Sequence, residues 1–153
     1  MQNPVNIKLT KEGLEKLEAE FEELTEKRPQ VLERMVTARE MGDLSENAGY
    51  HASREELSRI DHRLAELKVL IRFGKVVEPQ SNDKIQIGSE VELTNGENSF
   101  EYQIVGELEG DPAIGKISEV SPMGAALLGK RQGEKVEVET PGGKISYKII
   151  KIK

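Results

Sequence analysis

The feature that most constrains this chain is an apolar seam that runs along one helix face, stops at Gly42 and resumes in the opposite arm. Leu14, Leu17, Phe21, Leu24, Val31, Met35 and Ala38 follow 3-4 spacing, with Arg28 as the one polar member of the series. Leu57, Ile60, Leu64, Leu67 and Ile71 repeat the spacing further on. Such spacing places every member on one face of a helix and marks the a/d seam of a coiled coil. Between the two series lies GDLSENAGYHASR, residues 42–54, where the chain must reverse. Two heptad helices joined by a short glycine-containing turn predict an antiparallel hairpin. Roughly 30 residues per arm at about 1.5 Å each give a rod of about 45 Å.

The ends of the arms carry their own signals. Thr10 is a candidate N-cap, with Glu12 and Glu15 near the positive end of the first helix. Phe73-Gly74 closes the second helix, and Gly74 suits a left-handed C-cap. Pro29 falls inside the first pattern, where it removes a hydrogen bond and crowds the preceding turn, so a kink or a local break is expected there.

After Gly74 the period changes from 3.5 to 2. Residues 76–83, VVEPQSND, read as a linker. Strands are expected at Ile85–Leu93, Phe100–Val105, Ile114–Val120, Lys135–Glu139 and Ile145–Ile152, separated by the turn signals Asn95-Gly96, Gly110-Asp111-Pro112 and Pro141-Gly142-Gly143. Ser121-Pro122 reads as an N-cap followed by proline at the first helical position, opening a short helix through Leu128 that ends at Gly129. The expected core is Val91, Leu93, Ile104, Ile117, Leu127, Leu128, Val136, Val138, Ile149 and Ile150. The fold class is therefore two-domain, α and α+β: a coiled-coil hairpin over residues 1–78, then a small antiparallel sheet with one short helix over residues 79–153.

Composition bounds the function. A chain of 153 residues accommodates one or two small domains. With no cysteine there is no disulfide framework and no thiolate metal site. No apolar run approaches the roughly 20 residues of a membrane span, and MQNPVNIKLT lacks the apolar core of a secretory leader, so a soluble cytoplasmic protein without membrane contact is expected. The net charge of −6 argues against nucleic-acid binding over the whole surface. Yet from Arg28 to Arg63 every lysine-or-arginine position is arginine: Arg28, Arg34, Arg39, Arg54, Arg59 and Arg63. No phosphate loop, nucleophile elbow or Ser/His/Asp arrangement is present in the sequence, which speaks against a self-contained enzyme.

The turn between the arms holds the chemistry. Asp43 and Glu46 stand three residues apart at the far end of a stiff rod, which suggests carboxylates delivered to a distant target. The same four residues also fit a capping box, with Asp43 capping the second helix and Glu46 reaching back. Both readings stand on the pattern alone. Tyr50 continues the second seam backward through Ser53 and reads as packing; His51 has no histidine or cysteine at metal-ligand spacing, and His62 lies at a charged position of the second helix. Arg39 and Arg54 both fall at e positions, where planar guanidinium forks suit phosphate. Arg59 with Glu55, Arg63 with Glu66, Glu12 with Lys16 and Glu23 with Lys27 are the expected intrahelical pairs.

GDLSENAGYHASRE with its following seam resembles the tip and second helix of the bacterial GreA-type transcript cleavage factors. SPMGAALLGKRQGEKVEVETPGGKISYKI resembles the second, FKBP-like domain of the same family, so the resemblance covers nearly the whole chain in one order. It implies a transcription elongation factor, with the DNA-binding character ascribed to such factors, which binds RNA polymerase, inserts the hairpin through the secondary channel and stimulates cleavage of the 3′ end of backtracked nascent RNA. Asp43 and Glu46 match the family's two tip acids, the groups that act in catalysis and hold Mg²⁺ only jointly with the polymerase. Two-metal hydrolysis uses one ion to activate water and another to stabilise the leaving oxygen, and one or two added carboxylates help hold a weakly bound second ion. No tightly bound cofactor is implied, and the factor is expected to be monomeric when bound. Leu44, Ser45, Asn47 and Tyr50 are expected to support the tip, and Arg39 and Arg54 to contact the RNA. Gly49 stands where the family commonly has an acid, and Gly124-Ala125 where it often has a basic residue. An inhibitory factor of the same fold, marked by extra tip aspartates, and a plain coiled-coil adaptor without tip acids are the alternative classes.

Overall fold

A computed structural model of the protein describes residues 7–153; the start of the segment read for a leader, residues 1–6, lies outside them. The described residues form two compact units. One joins the segment through Leu14 to Gly74–Lys153, and the other is Glu15–Phe73. This division cuts the chain twice, whereas the boundary expected at 78/79 cuts it once. The difference comes from two very short strands, β1 (Lys8–Leu9) and β2 (Lys75–Val76), which pair in parallel. The amide of Lys75 donates to the carbonyl of Ile7 at 2.9 Å and that of Val77 to Leu9 at 2.8 Å, and the Leu9 side chain is fully buried.

The hairpin consists of α1 (Lys11–Glu40) and α2 (Ala48–Phe73). Thr10 caps α1 as its sequence predicts: its hydroxyl accepts the amide of Gly13 at 3.1 Å and its carbonyl accepts that of Leu14. Pro29 does not end the helix, which is continuous through it. One turn earlier, the Thr25 hydroxyl donates to the Phe21 carbonyl at 2.7 Å, a side-chain bond within the ladder that proline interrupts four residues on. The seam is where periodicity puts it. Val31, Ser53, Ile60 and Leu67 are buried, and Leu14, Leu17, Phe21, Leu24, Met35, Ala38, Tyr50, Leu57, Leu64 and Ile71 are half-buried.

Charged pairs flank that seam and join the two helices. Arg63 grips Glu20 with two bonds of 2.7 and 2.8 Å, and Arg28 grips Asp61 with two of 2.6 and 3.2 Å. Lys27 and Arg34 converge on Glu56 at 3.3 and 3.1 Å. The partners run in opposite order along the two helices, which fixes the antiparallel register. Hydrogen bonds from these cations hold the carboxyls of Glu20, Asp61 and Glu56 below their usual range, against a smaller opposing effect of desolvation. Of the expected intrahelical pairs, Arg63–Glu66 forms at 3.2 Å; the other three are absent, and Lys27 reaches across to Glu56 instead of Glu23. Gly74 does not adopt a positive φ, so the expected left-handed cap is not formed; the residue leads directly into β2.

The second unit is a five-stranded sheet of β3 (Glu90–Thr94), β4 (Ser99–Val105), β5 (Lys116–Ser118), β6 (Lys135–Thr140) and β7 (Gly143–Ile152), in the order β5-β4-β3-β7-β6. All pairings are antiparallel except β4 with β5, which is parallel and departs from the purely antiparallel sheet expected. The short helix α3 (Pro122–Leu127) is capped by the Ser121 hydroxyl, which accepts the amide of Gly124 at 3.0 Å. Gly129 follows at φ +77°.

The core takes Val91, Leu93, Ile104, Ile117, Leu127, Val136, Val138 and Ile149 as expected, adds Ile85, Tyr147 and Ile152, and leaves Leu128 packed at its margin. Three expectations change. Ile85–Ser89 is not strand: Ile85 exchanges hydrogen bonds with the loop at Gly129 and Lys130, and the chain turns at Gly88 with φ +94°. Ile114 belongs to a single 3-10 turn (Pro112–Ile114), which shortens β5. Ile150 is 37% exposed because it neighbours the core residue Ile149 and so points to the other face. One extra residue in β7 opposite the Glu92/Leu93 step then shifts the phase, so the next core position is Ile152 and not Lys151.

Candidate functional site

The turn between α1 and α2 is built by three short polar side chains. The amide of Met41 closes the last turn of α1 on the Ala38 carbonyl at 3.1 Å, and Gly42 follows at φ +149° with nothing near it. Asp43 then folds the loop onto itself: its Oδ1 accepts the amide of Ser45 at 3.0 Å and the Ser45 hydroxyl at 2.9 Å. These two bonds, the backbone one first, hold the Asp43 carboxyl below its ordinary range, so it is an anion at neutral pH.

Asn47 caps α2. Its Oδ1 accepts the amide of Tyr50, three residues on, at 3.0 Å, and its carbonyl accepts the amide of His51. Its Nδ2 donates to the carbonyl of Ala38, in the last turn of α1, which also accepts the Met41 amide. A single side chain thus closes one helix and opens the other. This overturns the capping box on Asp43 and Glu46, because α2 begins at Ala48 and Glu46 lies outside it. Glu46 is exposed and makes no hydrogen bond or ion pair among the described residues. The Asn47 role had a signal in the sequence: extending the seam back from Ser53 to Tyr50 puts asparagine three residues before a seam position.

Ser45 and Asn47 therefore shape the turn. Tyr50 is half-buried on the seam with its ring edge-on to His51, centroids 5.4 Å apart. Leu44 and Met41 leave apolar surface at the turn, 40% and 79% exposed. Arg39 and Arg54 are exposed and have no carboxylate partner among the described residues, unlike Arg28, Arg34 and Arg63. Gly49 has room for a side chain, the nearest atoms to an added Cβ being at 3.6 and 3.8 Å. Gly124 has none, since an added Cβ would lie 1.9 Å from the Ser118 carbonyl oxygen, so a larger residue in Gly124-Ala125 is accommodated only at the exposed Ala125. Among the described residues no three His, Cys, Asp or Glu side chains cluster at metal-binding geometry, and no helix is long and apolar enough to cross a membrane.

A two-helix hairpin with free acids at its turn, followed by a small sheet unit, defines a class when set beside known proteins. Residues 7–76 match the family model described as transcription elongation factor, N-terminal, and residues 80–153 match that described as transcription elongation factor, GreA/GreB, C-term. The class is that of transcription elongation factors. Transcription elongation factor GreA of Geobacillus kaustophilus is 43% identical over 159 aligned residues that cover all of both chains. The factor of the same name from Acidiphilium cryptum is 43% identical, covering 95% of this chain and 96% of its own. Among solved structures, GreA factor homolog 1 of Thermus thermophilus is 31% identical, covering 96% of this chain and 98% of its own, at a TM-score of 0.44. The chain belongs to the GreA/GreB family.

Proposed function

We propose that this protein binds RNA polymerase in the cytoplasm, passes its hairpin through the polymerase's secondary channel and stimulates the polymerase to cleave the 3′ end of backtracked nascent RNA. The observation that carries this reading is that the fold leaves Glu46 and one oxygen of Asp43 unused. Asn47 provides the helix cap, Glu46 has no partner among the described residues, and Asp43 uses one oxygen on Ser45 and keeps the other free.

Two carboxylates on an exposed turn fit a shared ion rather than a resident one. Mg²⁺ takes six oxygen ligands, keeps several as water and is held by one or two carboxylates where a partner supplies the rest. In the polymerase, Asp43 and Glu46 would complete the hold on a second Mg²⁺, which supplies activation of water for phosphodiester hydrolysis. Arg39 and Arg54, both without a carboxylate partner among the described residues, supply cationic forks for the extruded RNA strand. In this division of labour the hairpin carries the activity, and residues 79–153 carry most of the docking.

The test is addition of the purified protein to a stalled, backtracked elongation complex. Shortened RNA with factor and polymerase together, and intact RNA with the factor alone in Mg²⁺, is the expected pattern. Cleavage by the factor without polymerase, or no stimulation with it, overturns the reading.

A further inference from the structure

The turn that carries Asp43 also carries apolar surface that the fold does not cover. Met41 is the most exposed large apolar side chain among the described residues, at 79%, and Leu44 is 40% exposed. The other described methionines, Met35 and Met123, are half-buried. The backbone of Met41 is nonetheless fixed. Its amide bonds to the Ala38 carbonyl at 3.1 Å, while its side chain stays in solvent. Met41 forms one end of an open groove of about 470 Å³ that runs back along α1 past Ala38, Thr37 and Arg34.

The place of this surface says what it meets. Met41 is two residues from Asp43 and Leu44 adjoins it, so their α-carbons lie within about 7 Å and about 4 Å of that of Asp43. Gly42 stands between Met41 and Asp43, and an added Cβ there would meet nothing within 4 Å, which leaves the backbone open to close approach. Arg39, in the last turn of α1, and Arg54, in the second turn of α2, are exposed and have no carboxylate partner among the described residues. Cations, apolar surface and open backbone thus share one end of the hairpin. An unpaired RNA strand presents the complement, anionic phosphates and apolar base faces. Proteins that hold single strands meet the phosphates with cations and the bases with flat or apolar side chains. Methionine and leucine are among the side chains that pack against base faces.

We propose that Met41, with Leu44 on the other side of Asp43, takes the unpaired base of the displaced 3′ nucleotide at the head of the α1 groove. This rests on the cleavage function proposed above and names the part of the RNA that the tip reads. A phosphodiester addressed by Asp43 has its own nucleotide within reach of a flexible thioether two residues away. Packing of the base on Met41 orients the strand at the acids. It speeds cleavage where the 3′ base is unpaired and contributes nothing where no base is present.

The test compares two elongation complexes held back by one nucleotide, one with a mismatched 3′ nucleotide and one with an abasic nucleotide in its place. Each is treated with saturating wild type or Met41→Gln, which keeps side-chain length and removes apolar character. Any response of the polymerase itself to the missing base is common to both factors and cancels in their ratio. Met41→Gln should cleave the base-bearing RNA about fivefold to tenfold more slowly than wild type, the worth of partly burying one methionine. It should cleave the abasic RNA at the wild-type rate. Met41→Leu, apolar and similar in volume, should match wild type on both. Leu32→Gln, at an exposed apolar position of α1 outside the groove, should also match it. The melting temperature of Met41→Gln should equal that of wild type, and a lower one makes the side chain part of the fold and overturns the proposal. Equal slowing on both RNAs assigns the Met41 contact to the polymerase, and no slowing on either leaves it without a partner in the reaction. Either result overturns the proposal, as does a Met41→Leu as slow as Met41→Gln. Wild type that stimulates cleavage of neither RNA overturns the functional reading and this inference together; the other adverse results overturn the inference alone.

Discussion

The hairpin and the sheet unit are stabilised by opposite means. In the hairpin a narrow seam is mostly half-buried, and cross-helix ion pairs along its flanks fix the register. In the sheet unit eleven buried residues form one core, and its two ion pairs among the described residues, Lys144–Glu139 and Lys153–Glu101, are exposed surface contacts of 4.0 and 3.5 Å. The difference teaches where this chain can spare charge. The sheet gains its order from apolar burial, which salt and acid affect little, while the hairpin depends on groups that both conditions weaken. At the tip the hairpin leaves Glu46 and one oxygen of Asp43 out of its own stabilisation.

The sharpest way to break that contrast is at those acids. The double variant Asp43→Asn, Glu46→Gln keeps shape and hydrogen-bonding capacity and removes two charges. Stimulated cleavage should fall by about 100-fold or more, while the melting temperature and polymerase binding stay as in wild type. A fall in melting temperature matching the fall in activity would mean the acids belong to the fold after all.

Next in size is Leu93→Ala, at the centre of the sheet core. Its cost should be about 2–5 kcal/mol, read in urea unfolding of the sheet unit. Leu24→Ala, at a half-buried seam position, should cost clearly less. Equal costs would erase the contrast in packing.

Asn47→Ala removes the cap of α2 and a donor to the Ala38 carbonyl. The hairpin should lose about 0.5–2 kcal/mol, followed by helical circular dichroism. Asn47→Asp keeps the cap but turns an acceptor toward the Ala38 carbonyl, so its stability should fall below that of wild type. An effect of Asn47→Ala no larger than that of an exposed surface change would show that the turn holds itself without it.

The smallest expected effect is the pH response. Glu20, Asp61 and Glu56 have pKa values below their ordinary 4.5, 3.8 and 4.5 in the folded hairpin. At a pH between the folded and unfolded values the unfolded chain binds more protons, so stability rises with pH there. The contribution is complete above the unfolded values and is lost as pH falls through the folded ones. Helical signal should therefore weaken in acid below about pH 4, with the sheet retained. Glu20→Gln should flatten part of that response, and an acid transition that begins in the sheet would reverse the assignment.

Legibility follows periodicity. Both helices, the seam down to Tyr50, and the tip acids are readable because a 3-4 repeat sustained for several heptads fits almost nothing but a paired helix. The Ser121-Pro122 start of α3 is readable from its capping chemistry. The identity of the α2 cap is less plain, because Asp43 and Asn47 are equally good capping residues and only the reach of the seam back to Tyr50 favours Asn47. Ile152 escapes a period-2 reading from Ile149 because a one-residue bulge leaves the composition of a strand unchanged and reverses its faces. β1 and β2 have two residues each, too few for any pattern, and the bond from the Thr10 amide to Glu109 joins residues 99 apart that no local rule connects.

The β1–β2 pairing carries a last consequence. The chain leaves the sheet unit after Leu14 and re-enters it at Gly74, and the strands next to these two positions, Lys8–Leu9 and Lys75–Val76, are paired. Topologically, everything between them is an insert hung on a closed base. Such an insert can be lengthened or shortened without disturbing its host, provided both arms change together and in whole heptads, because any other step would rotate one half of the seam away from the other. Reach is thus adjustable in paired increments of about 10 Å, while the turn that bears Asp43 and Glu46 stays the same.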